Sequence, residues 1–189
     1  MTPDEYFRTV RDRIKNDLQA SLDTVIGAGA LALIDQRVRT KGTKADGGQF
    51  SPYSTKDTLI GAKSFTSKTY SDKVFGKEKN KDLEWRTVKG HHLAILHGGY
   101  RRIREIEGRQ VAHKDFERTS ALWKSIHVIG TKEISPDVYQ TTVGTENPLS
   151  INKMLGVRKQ EATDLLKLSP QEEQRLTQIL ADRLHKLMQ

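Results

Sequence analysis

Ser125-Ile126-His127-Val128-Ile129 and Val138-Tyr139-Gln140-Thr141-Thr142-Val143 are β-branched runs separated by a turn that contains Ser135-Pro136-Asp137. Runs of this kind bounded by turn residues read as an antiparallel hairpin. On both sides of residues 125–143 the apolar period is helical instead. A pattern that passes from helix to strand and back predicts an α+β chain, with a small antiparallel sheet packed by an N-terminal and a C-terminal helix.

Upstream, Thr2, Pro3 and Glu5 form a capping-box start: the Thr hydroxyl accepts a free N–H, Pro needs none, and Glu reaches back. Phe7, Val10, Ile14, Leu18, Leu22 and Val25 then recur at steps of three or four, which gathers them on one stripe. Gly27 and Gly29 interrupt the stripe, and Leu31, Leu33, Ile34 and Val38 resume it toward a basic end at Arg37, Arg39 and Lys41. The pattern predicts a helix over 3–38, bent at the glycines. Downstream, Ser169, Pro170 and Glu172 repeat the capping logic, and Leu176, Ile179, Leu180, Leu184 and Leu187 share one face of a helix over 170–188. From 91 onward, His92, Leu93, Ile95, Leu96, Tyr100, Ile103 and Ile106 keep a helical period, and Gly98-Gly99 and Gly108 cut it into short pieces.

The chain has 189 residues, 32 Lys plus Arg against 24 Asp plus Glu, and no Cys. This length fits one domain with an appendage. Most of the positive excess lies in residues 41–90, which hold 11 basic and 6 acidic side chains. Lys41-Gly42-Thr43 and Asp46-Gly47-Gly48 punctuate its start, and a Ser/Thr/Lys-rich stretch with no steady apolar period runs on to Gly90. The expectation is therefore a single α+β domain over 1–189, with 41–90 inserted as a basic extended arm or loop. Loops this long are usually functional or disordered, and aromatic residues argue against full disorder. Phe50, Tyr53, Phe65 and Trp85 are the expected interface anchors of the arm. Lys56, Lys63, Lys68, Lys73, Lys77, Lys79 and Lys81 are its expected cationic surface, facing acidic protein or phosphate.

Several classes are excluded at this level. Without Cys there are no disulfides, thiolate nucleophiles or Cys-type zinc sites. The chain reads as having no apolar run long enough to cross a bilayer, and its N-terminus lacks a basic region followed by an apolar one, so neither Sec export nor a membrane partner is expected. There is no G-x-S-x-G elbow and no G-x-x-x-x-G-K-[ST] loop, and the Gly-Ala-Gly at 27–29 lacks the third Gly of a dinucleotide fingerprint. His91, His92 and His97 cluster, but a spacing of five from 92 to 97 does not place two imidazoles on one helical face, and no acidic residue lies between them. They read as packing or surface histidines. No catalytic constellation emerges, so neither an enzyme nor a cofactor or metal is expected.

The order of motifs resembles the bacteriophage tail-completion or head-to-tail neck proteins, a family of virion-morphogenesis proteins. The matching pieces begin with Ile34-Asp35-Gln36-Arg37-Val38 leading to Asp46-Gly47-Gly48-Gln49-Phe50-Ser51-Pro52-Tyr53-Ser54. Then follow Tyr100-Arg101-Arg102-Ile103-Arg104-Glu105-Ile106-Glu107-Gly108-Arg109-Gln110 and Thr119-Ser120-Ala121-Leu122-Trp123-Lys124-Ser125-Ile126. Val143-Gly144-Thr145, Asn152-Lys153-Met154-Leu155-Gly156 and Leu166-Lys167-Leu168-Ser169-Pro170 complete the series. Ala121 stands where the family pattern has Gly, and residues 55–90 are longer and more basic than that pattern. The resemblance implies a non-catalytic structural protein of the virion neck, assembled in the host cytoplasm. It implies a homo-oligomeric ring that meets a portal or adjoining neck protein on one side and a tail protein on the other, with packaged DNA in its channel. The alternative is a non-specific nucleic-acid-binding protein that uses the basic 41–90 arm.

Overall fold

The computed structural model describes residues 2–61, 64–75, 81–88, 91–117, 120–136 and 138–187. They form an α+β fold of helices and small antiparallel sheets, as the alternation of periods predicts. The chain divides into two compact units, Met1–Gly48 with Ser120–Gln189 and Gln49–Thr119, where one domain was expected.

The first unit is built on a helical run from Pro3 to Lys41. Its α1 (Pro3–Ser21) and α2 (Ala28–Asp35) are joined and followed by wider π-helical turns at Leu22–Gly27 and Gln36–Lys41. The predicted cap is present: Thr2 N–H donates to Glu5 Oε2 at 2.7 Å, and Glu5 N–H donates to Thr2 Oγ1 at 3.2 Å. Lys15–Lys41 is a 27-residue helical stretch long and apolar enough to cross a bilayer by length and composition, which corrects the expectation of no such run. A third of its most apolar window is buried inside the protein, where Ala30, Ile34 and Val38 join the core.

The hairpin forms as read. Strands β4 (His127–Ser135) and β5 (Val138–Gly144) pair antiparallel, with irregularities between Val128 and Gly130 and between Glu133 and Ser135. Thr131 and Thr141 oppose each other, their hydroxyls 2.7 Å apart. Both strands pack on the Leu22–Gly27 turn, and so does α7 (Pro170–Leu187). Gly27 permits that approach, because a Cβ there would lie 2.6 Å from Val128 Cγ2. Helix α7 starts as predicted: Ser169 N–H donates to Glu172 Oε2 at 2.7 Å, and Glu172 N–H donates to Ser169 Oγ at 3.3 Å. Leu176 is buried on it. Two helices were not predicted here, α5 (Ala121–Ser125) and α6 (Pro148–Glu161). Asn147 opens α6, its Oδ1 accepting from Leu149 and Ser150 N–H, with Pro148 in the first turn.

The second unit replaces most of the expected arm. Residues 41–48 belong to the first unit, whereas β1 (Thr58–Ile60), α3 (Lys68–Phe75) and β2 (Leu83–Val88) fold with residues beyond 90. His91–Leu96, expected as helix, is strand β3, and it lies between the other two in an antiparallel sheet of order β1-β3-β2. A six-residue apolar run carries no decisive period, and partner strands on both sides satisfy its backbone as a sheet. The register aligns Ile60 and Trp85 with Ala94, and Thr58 and Leu83 with Leu96. Ile60, Phe65, Val74, Ala94, Leu96 and Ile103 form the core of this unit, the last from α4 (Gly99–Ile106). An irregular sequence thus folds because its apolar residues meet across distance, with no single element required to carry a stripe.

Candidate interaction surfaces and a basic cleft

In the first unit the π turn Gln36–Lys41, the loop after it and the start of α7 enclose a cleft of about 510 Å3. Its floor is a buried ion pair. Arg37 Nε lies 2.9 and 3.1 Å from the two Glu172 oxygens, and its other nitrogens donate to the carbonyls of Thr43 at 3.0 Å and Lys167 at 2.7 Å. Glu172 therefore serves two tasks, capping α7 and neutralising Arg37. Lys44 Nζ donates to the Glu161 carbonyl at 2.9 Å and stands 3.6 Å from the buried Glu161 carboxylate. Lys41 and Arg175 line the cleft as exposed cations, with Asp46 among the lining residues. Such a surface attracts anions with a strength that falls with salt. Sequence reading placed Lys41 in the basic arm and found neither the cleft nor Arg175, since the two sides lie far apart in the chain.

The expected anchors divide. Phe50, Tyr53 and Phe65 are buried within the protein, so they are core side chains of the second unit and present no contact surface for a neighbour. Phe50 meets Phe116 edge to face at a centroid distance of 4.9 Å, and Phe65 meets Phe75 at 6.2 Å. Trp85, in contrast, is 60% exposed on β2, with its ring 6.1 Å from that of Phe75.

Tyr53 belongs to a buried network. Its hydroxyl donates to Asp115 Oδ1 at 2.6 Å, and the Arg104 guanidinium lies 4.5 Å above its ring. Arg104, 2% exposed, reaches Asp115 Oδ2 at 2.6 Å and the Gln110 carbonyl at 3.0 Å, and also donates to the Glu117 carbonyl. Burial, then the hydrogen bond to Asp115, pushes the Tyr53 hydroxyl well above the usual phenol range. Burial acts to raise Asp115 as well, but hydrogen bonds from Tyr53, Gln110 and the Glu117 amide, with the charge of Arg104, hold its carboxyl below the usual range. The network ties Tyr53, Arg104 and Asp115 to one another and to the backbone of Gln110 and Glu117, and it is a structural clamp.

The expected cationic surface is dispersed. Lys56 and Lys81 are exposed, Lys68 pairs with Asp72 at 2.7 Å, and Lys73 Nζ sits 5.2 Å from the Tyr70 ring centroid. Lys63, Lys77 and Lys79 lie outside the described residues. Among the arginines of this unit, Arg86 is bridged to Glu84, and Arg102 to Asp82 and Glu105. Pairing of this kind cancels much of the local field that a phosphate chain would meet.

Of the three clustered histidines, His97 has a defined partner. Its Nδ1 lies 2.8 Å from Asp57 Oδ2, while Gly98 N–H donates to Asp57 Oδ1 at 3.3 Å. The hydrogen bond with His97 holds the Asp57 carboxyl below its ordinary value. A carboxylate–imidazole pair is one half of a nucleophilic triad. Among the described residues no hydroxyl is hydrogen-bonded to His97, and no group of three or more His, Asp and Glu side chains is placed to hold a metal ion.

Large apolar side chains stand on several surfaces of the first unit. The hairpin exposes Ile129, Ile134 and Val138, α6 exposes Leu149, Ile151 and Leu155, and α1 exposes Tyr6 and Phe7. The strand runs and helix stripes of the sequence contain Ile129, Val138 and Phe7, but not the information on which of their residues stay uncovered. Comparison with family models, curated proteins and solved structures finds no match for the chain.

Proposed function

We propose that the chain is a structural subunit of the tailed-phage neck that assembles into a homomeric ring joining the portal side to the tail side, as a tail-completion or head-to-tail adaptor protein. The observation that carries this reading is the set of exposed apolar side chains on three separate elements of one unit, the hairpin, α6 and α1. Exposed apolar side chains grouped on one element, as Leu149, Ile151 and Leu155 are on α6, support contacts with other molecules. A subunit that meets neighbours on different faces forms head-to-tail contacts, which close into a ring when the rotation allows it. The motif series from Asp46-Gly47-Gly48 to Leu168-Ser169-Pro170 supplies the family side of the proposal. In this reading the protein acts without catalysis, in the virion, after assembly in the host cytoplasm.

The second reading, non-specific nucleic-acid binding, is favoured by the cleft with its exposed Lys41 and Arg175. Light-scattering mass of the purified protein, before and after nuclease treatment, separates the two. A nuclease-resistant multimer of one fixed mass is the expected result for the neck subunit. A monomer that gains mass only with nucleic acid overturns the ring and supports the second reading.

A further inference from the structure

We propose that the first turns of α1 dock antiparallel on the exposed face of α6 in a second copy of the chain, and that this contact repeats head to tail. The inference rests on the ring reading above and names the two surfaces that would make the ring.

Every residue from Thr2 to Thr9 is exposed. Phe7 is 68% and Tyr6 56% accessible, their rings meeting at 5.9 Å. At Lys15 the helix is tied to the hairpin, with Lys15 Nζ 2.7 Å from Glu133 Oε2. The formed Thr2–Glu5 capping box starts it as a defined helix. A capped helix end that displays two aromatic rings beyond its own support has the form of a docking element.

Helix α6 offers the complementary face. Ser150, Val157 and Glu161 are buried on one side of it, while Ile151 and Leu155, four residues apart, are exposed on another. Arg158 follows Leu155 by three residues, and Asp4 precedes Phe7 by three. Residues three apart share a helix face, so an antiparallel alignment that seats Phe7 on Leu155 also brings Asp4 to Arg158. The charges agree beyond that pair. The first turn of α1 holds Asp4 and Glu5, and the last turn of α6 holds Arg158 and Lys159. Because the two faces differ, each copy gives one and receives the other, which is the heterologous geometry that closes into rings.

The absence of Cys makes the contact directly testable. Phe7→Cys and Leu155→Cys are prepared separately, mixed, and treated with a short bis-maleimide. A crosslinked dimer should form in the mixture and in neither variant alone, and the double variant should give a ladder ending at the copy number of the ring. Phe7→Asp should convert the multimer to monomer with an unchanged far-UV circular dichroism spectrum. Asp4→Arg should weaken assembly, and adding Arg158→Asp should restore it. A wild-type multimer with no mixed crosslink, or with Phe7→Cys linking to itself, overturns this docking and leaves the ring standing. A wild-type monomer overturns the ring, and this contact falls with it.

Discussion

Tyr53 and Asp115, 62 residues apart in the chain, hold each other twice: the Tyr53 hydroxyl donates to Asp115 Oδ1 at 2.6 Å, and Asp115 N–H donates to the Tyr53 oxygen at 3.0 Å. Together with the edge-to-face contact of Phe50 and Phe116, this joins the entry of the second unit to its exit. The insertion is closed on itself by its own side chains.

Residues 49–119 should therefore fold when expressed alone, and residues 1–48 joined to 120–189 by a short Gly/Ser linker should fold as the other unit. Cooperative thermal unfolding of each piece is the check. Deleting 55–88 should have a different outcome, because it removes β1, α3 and β2 together with Ile60, Phe65 and Val74 of the core. The expected product keeps the helical signal of the first unit and loses the second unit. A deletion variant that retains two unfolding transitions would restore the picture of a dispensable arm.

The clamp should be costly to break. Arg104→Met leaves the Asp115 carboxylate buried without its cation, and removing one member of a buried pair typically costs about 3–5 kcal/mol. Tyr53→Phe takes two hydrogen bonds from Asp115, one at its N–H and one at Oδ1, for which a loss of about 1–3 kcal/mol is expected. Urea unfolding followed by the fluorescence of Trp85 in a Trp123→Phe background reads both, and equal midpoints for that parent and its Arg104→Met variant would show that the pair contributes nothing.

The same pair sets the pH limits of the unit. Asp115 binds its proton less tightly when folded, so its contribution is present above the ordinary aspartate pKa of about 4 and is lost as pH falls below it. Tyr53 keeps its proton when folded, so its contribution is lost as pH rises above the ordinary tyrosine pKa of about 10. Urea midpoints at acid, neutral and alkaline pH should fall at both ends. Asp115→Asn should flatten the acid limb and Tyr53→Phe the alkaline one.

Three glycines should rank by their surroundings. Gly99 has φ +58°, and a Cβ there would lie 2.2 Å from the Lys56 carbonyl oxygen, which is backbone and cannot turn aside. Gly27→Ala meets side-chain methyls of Val128 instead, an overpacking worth about 1–3 kcal/mol, and Gly99→Ala should exceed it. Gly156, in α6, has no neighbouring atom within 4 Å of its Cβ position, so Gly156→Ala should stabilise by about 0.4–1 kcal/mol. Melting temperatures of the three variants give the order.

Local chemistry was legible along the chain. The capping boxes at Thr2–Glu5 and Ser169–Glu172, and the β-branched runs of the hairpin, each depend on residues within a few positions or on one turn, so their pattern alone determined helix, strand and fold class. The start of α6 carries a local signal that was missed, Asn147-Pro148 as a cap followed by a first-turn proline, because no apolar stripe follows it in the sequence. What only the tertiary structure decided is which side chains find a partner across the chain. Phe50, Tyr53 and Phe65 look like Trp85 in sequence, yet three are buried and one is exposed. His91–Leu96 became a strand because β1 and β2 lay on either side of it to take its hydrogen bonds. Arg104 became an interior residue because Asp115, the carbonyls of Gln110 and Glu117 and the ring of Tyr53, 51 positions away, could neutralise and solvate it there. Burial is a property of pairs brought together from far apart, and a one-dimensional period records only the neighbours that a helix or strand places side by side.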